Sequence, residues 1–244
     1  MMIYRLPLMQ DGNKNINLFF PRSHCVLCSK AIRPKNLIPI FSFLLQKGEC
    51  DACKEPISLM YPLNELLHLL VGLLLYFILG LNAQLFIAYL VFFSFFILFI
   101  LDYKYFLLPF WLNLGMVLVG FVAIGMYETF TIPSFGFNQL YISLGGLFVG
   151  FFTLWFINTL YKVIRGIDGI GGGDFILLSS IGSLVGIFAL PFVLLLGSLS
   201  ALVIYILKGK STSNEIPLGS GFVMGFLLYC FLQYFELLQN YMVY

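Results

Sequence analysis

The chain has 244 residues, of which 61% are hydrophobic, 18% aromatic and only 10% charged. A soluble globular domain carries roughly a quarter charged residues, so this composition excludes an ordinary soluble fold and implies a polytopic membrane protein. The formal net charge is +2, with no long basic run interleaved with aromatics, which argues against a nucleic-acid partner.

Residues 1–58 are polar and basic, with Pro21, Pro34, Pro39 and Pro56 and no apolar run of spanning length. They are expected to form a small cytoplasmic domain. No basic start leads into a short apolar core, so there is no signal-peptide pattern and insertion relies on the spans themselves. Four of the five cysteines lie here, as Cys25-Val26-Leu27-Cys28 and Cys50-Asp51-Ala52-Cys53 with 21 residues between the pairs. Each pair can present two thiolates to one metal, and two such knuckles complete a tetrahedral zinc site. Disulfides are the competing reading, disfavoured in a reducing cytoplasm, and an iron-sulfur cluster is a weaker one. A closed four-thiolate site has no open position, so the zinc is expected to be structural. His24 adjoins a knuckle without being needed as a ligand, and Cys230 reads as an apolar packing residue.

Residues 59–244 form the second expected domain, an all-α bundle of about seven transmembrane helices. Apolar runs of spanning length place them near 60–80, 84–101, 110–127, 139–161, 175–189, 191–207 and 218–239. The fifth is short, and Pro191 can begin the sixth after a tight turn. Cytoplasmic loops are enriched in Lys and Arg, and with residues 1–58 inside, all 13 basic residues fall on the cytoplasmic side of this topology. The segments from Glu128 to Asn138 and from the last span to Tyr244 have none.

Two aspartates stand out. Asp102 closes the apolar run through Phe99-Ile100-Leu101, ahead of Leu107-Leu108-Pro109. Asp174 follows Gly169-Ile170-Gly171-Gly172-Gly173 and opens the fifth span. Charge at membrane depth is costly, so each is a functional candidate. The topology puts both on the cytoplasmic side. The plainer readings are a helix N-cap for Asp174 and an interfacial pair with Lys104 for Asp102. Two close carboxyls cannot both ionise easily; sharing a proton, one activates water while the other protonates a carbonyl, which is peptide-bond hydrolysis. No other set competes: His68 lies mid-span near Glu65 as a packed residue, Ser179, Ser180 and Ser183 have no matching base, and no strand precedes the glycine run as a dinucleotide loop requires.

These elements resemble the type IV prepilin peptidases, membrane aspartic proteases with a Gly-x-Gly-Asp motif that also act as N-methyltransferases. The resemblance runs through Ile3-Tyr4-Arg5-Leu6-Pro7, Pro21-Arg22-Ser23, both cysteine pairs, Pro56-Ile57-Ser58 with Tyr61-Pro62-Leu63-Asn64-Glu65, Asp102 with Leu107-Leu108-Pro109, Gly171-Gly172-Gly173-Asp174-Phe175 and Ile216-Pro217-Leu218-Gly219. It implies that Asp102 and Asp174 are the catalytic pair and that Cys25, Cys28, Cys50 and Cys53 are zinc ligands. It further implies removal of the basic leader of type IV prepilins or pseudopilins at the cytoplasmic face of a bacterial inner membrane, between a glycine and a phenylalanine. S-adenosylmethionine is then the implied methyl donor for the new amino terminus, in support of type IV pilus or type II secretion assembly. Glu65 is a candidate for the methyl-transfer half and equally for a helix-end hydrogen bond; no residues are assigned to the methyl-donor pocket.

The chain departs from the family pattern in three places. The family usually has a further helix before Ile3-Tyr4-Arg5-Leu6-Pro7, so either the start lies upstream or a span is missing. Ile176 stands where the family often has lysine, and Phe110 where an acidic residue is common. The other readings are a truncated, non-catalytic zinc-bearing membrane assembly subunit and a transporter; absence of a repeated half-and-half pattern speaks against the transporter.

Overall fold

The computed structural model describes residues 2–10, 17, 20–124, 139–208 and 215–234. It is helical throughout its apolar part, and the chain divides into two compact units, Met1–Tyr89 and Leu90–Tyr244.

In the first unit, helix α1 (Met2–Gln10) forms where the sequence indicated only a polar segment. Its Arg5 is buried and donates to the carbonyl oxygens of Asn17, at 3.0 Å, and of Pro21. A buried guanidinium is tolerable only with its donors engaged, and here they draw the segment ahead of the first cysteine pair onto α1. A 3-10 turn (Pro34–Leu37) and a one-turn helix α2 (Phe41–Leu45) lie between the two cysteine pairs. Then α3 (Met60–Leu79) runs as an apolar helix ended at Gly80, whose positive φ of 74° suits glycine.

The boundary between the units falls inside α4 (Ala83–Tyr105). After it come α5 (Phe110–Ile124), α6 (Gln139–Arg165), α7 (Gly172–Val185), α8 (Leu190–Lys208) and α9 (Leu218–Tyr234). Counting α3, seven apolar helices are present among the described residues, as the hydropathy reading expects. Four (α3, α4, α6 and α8) are long and apolar enough to cross a membrane, and α5, α7 and α9 are shorter. The chain is an integral membrane protein.

Two boundaries differ in a way that matters. Helix α4 runs past the expected end at residue 101, so Asp102 sits inside its last turn; the helix stops at Phe106, whose φ is 51°. Helix α7 starts at Gly172, so Asp174 lies within its first turn and Gly171 occupies the N-cap position. The N-cap reading of Asp174 is thereby excluded.

Helix α7 is the centre of the second unit: ten of its 14 residues are buried. It runs antiparallel to α6, and the two backbones touch at Gly146 and Gly182, where a Cβ on either residue would fall 2.1 to 2.2 Å from the other's carbonyl oxygen. Lipid supplies no hydrophobic drive for helix pairing, so such contacts, with small residues at the crossing, supply the packing energy. Ser143 donates to the carbonyl of Ser183, and Ser179 to that of Leu147 at 2.9 Å, tying the same pair of helices. Helices α8 and α9 pair in the same antiparallel way around Gly197, Gly221 and Gly225. At 1.5 Å per residue α7 spans about 21 Å, less than a hydrocarbon core of about 30 Å. Its first turn therefore has to be reached by a loop that enters the helical layer.

Candidate active site and cysteine cluster

The first unit gathers Cys25, Cys28, Cys50 and Cys53 at one point, with all four Sγ atoms within 4.8 Å of one another. Two identical backbone knuckles do this. In the first, the Cys25 amide donates to Lys30 O at 3.0 Å and the Ser29 amide to Cys25 O at 2.9 Å; in the second, Cys50 donates to Glu55 O at 2.8 Å and Lys54 to Cys50 O at 2.9 Å. Ser29 and Lys54 both take a left-handed φ, 57° and 60°, and matching antiparallel bridges, His24 with Ala31 and Glu49 with Pro56, close each turn. The sequence spacing carries this duplication, since every partner recurs 25 positions later.

All four cysteines are free thiols, which removes the disulfide reading. The amides of Cys28 and Leu27 hold the Cys25 thiol below its ordinary range, and those of Cys53 and Ala52 bring Cys50 down to about 6. The Glu55 amide favours a thiolate at Cys53, yet lost hydration and the crowding of Cys50, Cys28 and Cys25 push it up to about 12. Four thiols so close cannot all ionise without a cation among them. A metal held by four thiolates at about 2.3 Å puts the sulfurs about 3.8 Å apart, and Cys25 and Cys53 Sγ lie 3.9 Å apart. The cluster therefore has the spacing and the charge demand of a tetrahedral metal site. His24 turns its Nδ1 to Arg22 O, 3.1 Å away, and stays outside the cluster. Glu65 accepts the amide of Ile40, the residue that caps the start of α2, at 2.7 Å, the helix-end hydrogen bond considered for it.

In the second unit Asp102 and Asp174 are both buried, at 5% and 8% exposure. Asp102 has no ion pair with Lys104, which is exposed; among the described residues the one ion pair is Lys162 with Asp168, at 2.8 Å. Its partner is instead Ser220, in the first turn of α9: the amide and the hydroxyl of Ser220 both donate to Asp102 Oδ2, at 2.5 and 2.8 Å. The same hydroxyl lies 3.1 Å from Phe99 O, one turn back on α4. Lys208, at the end of α8, donates to Tyr103 O at 2.7 Å and lies over the rings of Tyr103 and Phe106, 4.8 and 4.7 Å from their centroids. This cation neutralises the C-terminal end of α4 and places a positive charge near Asp102.

Asp174 is close enough to Asp102 to feel its charge. Leu108, from the loop after α4, lies against the first turns of α7 and α9. A Cβ at Gly173 would meet Leu108 Cβ at 2.7 Å, and one at Gly219 would meet Leu108 Cδ1 at 2.9 Å and Asp102 Cγ at 3.0 Å. Glycine at both places lets the starts of α7 and α9 close on the end of α4. Oδ2 of Asp174 stays beside Gly171, while Oδ1 is buried with no hydrogen-bond partner among the described residues.

The loop before α7 is pinned by Asn158 of α6. Its Oδ1 accepts the amides of Gly169 and Ile170, at 2.8 and 3.0 Å, and its Nδ2 donates to Asp168, at 3.0 Å. Asp168 is held below the usual carboxylate range by the hydrogen bond from Lys162 and then by Asn158. The site thus comprises two carboxyls at converging helix ends, one held from α9 and the other reached through a clamped glycine loop. Such a pair can activate a water and protonate a carbonyl. Ser220 and Asn158 were not singled out in the sequence. The signal for Asn158 is a lone amide within a long apolar helix; Ser220 follows the Ile216-Pro217-Leu218-Gly219 element directly. Ser180 and Ser183 spend their hydroxyls on the carbonyls of Leu177 and Ser180, both at 2.7 Å. His68 packs against Tyr89, with Tyr89 Oη 3.3 Å from its Nδ1.

Comparison with known proteins gives two adjoining family matches: residues 1–79 match the bacterial Peptidase A24 N-terminal domain and residues 88–206 the type IV leader peptidase family. A prepilin leader peptidase/N-methyltransferase of Neisseria gonorrhoeae is 33% identical over 214 residues, covering 84% of this chain and 70% of its own. Proteins of the same name from Vibrio cholerae and Pectobacterium carotovorum are 29% and 30% identical, over 94% and 91% of this chain and 89% and 84% of theirs. No solved structure matches.

Proposed function

The chain belongs to the type IV leader peptidase family, and on that premise we propose that Asp102 and Asp174 are the catalytic pair of a prepilin leader peptidase. The observation that carries this reading is the convergence of two buried carboxyls from separate helix ends, one held by Ser220 and the other with a free Oδ1.

With Oδ2 occupied by two donors, Asp102 has Oδ1 to accept a proton and takes the part of base. Asp174 carries the proton the pair shares. Asp102 removes a proton from a water, whose oxygen attacks the carbonyl carbon of the scissile peptide, while Asp174 protonates the carbonyl oxygen. The tetrahedral adduct then returns that proton to Asp174 as the C–N bond breaks, and the departing nitrogen takes the proton held by Asp102. Water is consumed, and a carboxyl and an amine are formed. Lys208 and the starts of α7 and α9 supply positive potential at the mouth of the site.

The cleaved bond is that joining the basic leader of a prepilin or pseudopilin to its mature part, at the cytoplasmic face of a bacterial inner membrane. The distribution of Lys and Arg among the loops supports that sidedness for the aspartates and for the cysteine module of residues 1–58. Cys25, Cys28, Cys50 and Cys53 hold a structural zinc, which supplies folding energy to the module and no activated water. The relatives' shared name supports a second activity, methylation of the new amino terminus with S-adenosylmethionine as donor.

The test is leader removal from a prepilin by membranes carrying the wild type, Asp102→Asn or Asp174→Asn. Loss of cleavage in each variant is expected, and cleavage surviving both would overturn the two-aspartate mechanism. Labelled S-adenosylmethionine in the same reaction reports methylation; no label on the mature amino terminus would reduce the function to the peptidase.

A further inference from the structure

Between the two cysteine knuckles the chain carries no charge from Asn36 to Gln46, and basic residues flank this stretch, Arg33 and Lys35 before it and Lys47 after. It contains the 3-10 turn and α2, and its large apolar side chains face outward. Phe41, Leu44 and Leu45 are 68%, 65% and 82% exposed, and Leu37 and Ile38 about half. Positions 41, 44 and 45 are i, i+3 and i+4, so the first three share one face of α2. Arg33, Lys35 and Lys47 are exposed as well, with no ion pair among the described residues.

So dense a group of exposed apolar side chains marks a contact surface. What occupies it follows from where the segment is held. Ile40, the residue before Phe41, donates its amide at 2.7 Å to Glu65, the sixth residue of α3. The 20 residues of α3 rise about 30 Å, the thickness of a hydrocarbon core, so its first turns lie at the boundary between lipid and water. Segment and helix start belong to the same compact unit. Leu63, Leu66 and Leu67, on either side of Glu65, are exposed in their turn, as side chains facing lipid are. An apolar face tied to this level meets acyl chains in place of water, and its basic flanks meet headgroups. Charge agrees: residues 1–58 hold eight Lys and Arg against four Asp and Glu, opposite in sign to lipid phosphates.

We propose that residues 37–45 are an interfacial membrane anchor, with Phe41, Leu44 and Leu45 seated among the upper acyl chains of a phospholipid leaflet, Leu37 and Ile38 beside them, and Arg33, Lys35 and Lys47 on phosphate groups. Cys28 and Cys50 lie beyond its two ends, so the anchor also holds the cysteine cluster near the lipid surface. This inference is independent of the assignment of the aspartates.

The test places one tryptophan in the anchor of the full chain, Leu45→Trp with Trp111→Phe and Trp155→Phe, in nanodiscs of phosphatidylcholine with about 30% phosphatidylglycerol. Bromine high on the acyl chain is expected to quench its emission at least about 2-fold more than bromine near the chain end, and acrylamide in the water to quench it at least about 3-fold less than N-acetyltryptophanamide. Acrylamide quenching within about 1.5-fold of that free compound would put the segment in water and overturn the proposal. Protection from acrylamide without quenching by either lipid would mean that protein covers the segment, a second copy included, and would overturn it too. Stronger quenching from the chain end would refute an interfacial depth. Arg33→Gln, Lys35→Gln and Lys47→Gln together are expected to raise acrylamide quenching at least about 2-fold, and an unchanged value would overturn the part given to the basic residues. Should Leu45→Trp fail to fold, Phe41→Trp on the same face of α2 gives the same reading.

Discussion

Ser220→Ala isolates the hold that α9 has on Asp102. The substitution deletes the hydroxyl that donates to Asp102 Oδ2 at 2.8 Å, while the backbone amide of residue 220, 2.5 Å from the same oxygen, remains. Ser220 is 0% exposed, so no solvent replaces the hydroxyl. A hydrogen bond to a charged group is worth about 1.5 to 3 kcal/mol; at about 1.4 kcal/mol per decade this is about a 10- to 150-fold fall in kcat/KM if the whole bond serves the transition state. Retention of the amide should keep Asp102 in place and the residual activity measurable, unlike that of Asp102→Asn. The assay is initial-rate cleavage of a prepilin peptide in detergent. A serine-to-threonine change keeps the oxygen and should lie between the two if its extra methyl is accommodated. A Ser220→Ala enzyme within about 2-fold of wild type in kcat/KM would refute the argument that this hydroxyl sustains the base.

Three other outcomes follow from the same geometry. Gly219→Ala puts a methyl 3.0 Å from Asp102 Cγ and 2.9 Å from Leu108 Cδ1, so cleavage should fall by at least about 10-fold from a displacement of this size, measured beside Gly115→Ala, where a Cβ meets nothing within 4 Å. Asn158→Ala removes both acceptor bonds to the Gly169 and Ile170 amides, so hydrogen exchange at these amides should quicken and kcat should drop while the cysteine module keeps its metal. Replacing Cys28 and Cys53 together by serine should abolish stoichiometric zinc by metal analysis and destabilise the module, with the aspartate pair untouched in sequence; full zinc content would contradict a four-thiolate site.

The aspartates were legible because an apolar chain makes any carboxyl conspicuous: Asp102 interrupts an unbroken apolar run and Asp174 ends a glycine cluster. The helix ends around them were less so. The predicted spans stopped at residue 101 and began at 175 because hydropathy falls at a charge, whereas the backbone hydrogen-bond ladder of α4 and α7 continues through both aspartates. Asn158 was passed over for a related reason. Attention went to ionisable groups, and an amide carries no charge, so Asn158 read as an ordinary member of an apolar helix.

The sequence alone determined the membrane class, the seven apolar helices from residue 60 onward and the duplicated cysteine knuckle, because hydropathy and ligand spacing are local properties. Those features depend on neighbours within one turn or one loop, and a chain displays them whether or not it has folded. Tertiary structure decided what holds each aspartate. Ser220 lies 118 positions from Asp102 and meets it only because α9 returns antiparallel along α4, as Phe95 against Phe226, with ring centroids 5.0 Å apart, also requires. The Gly146–Gly182 crossing and the clamp of Asn158 on the glycine loop have the same origin. Each joins residues whose proximity arises from close helix packing, which no local pattern of residues encodes.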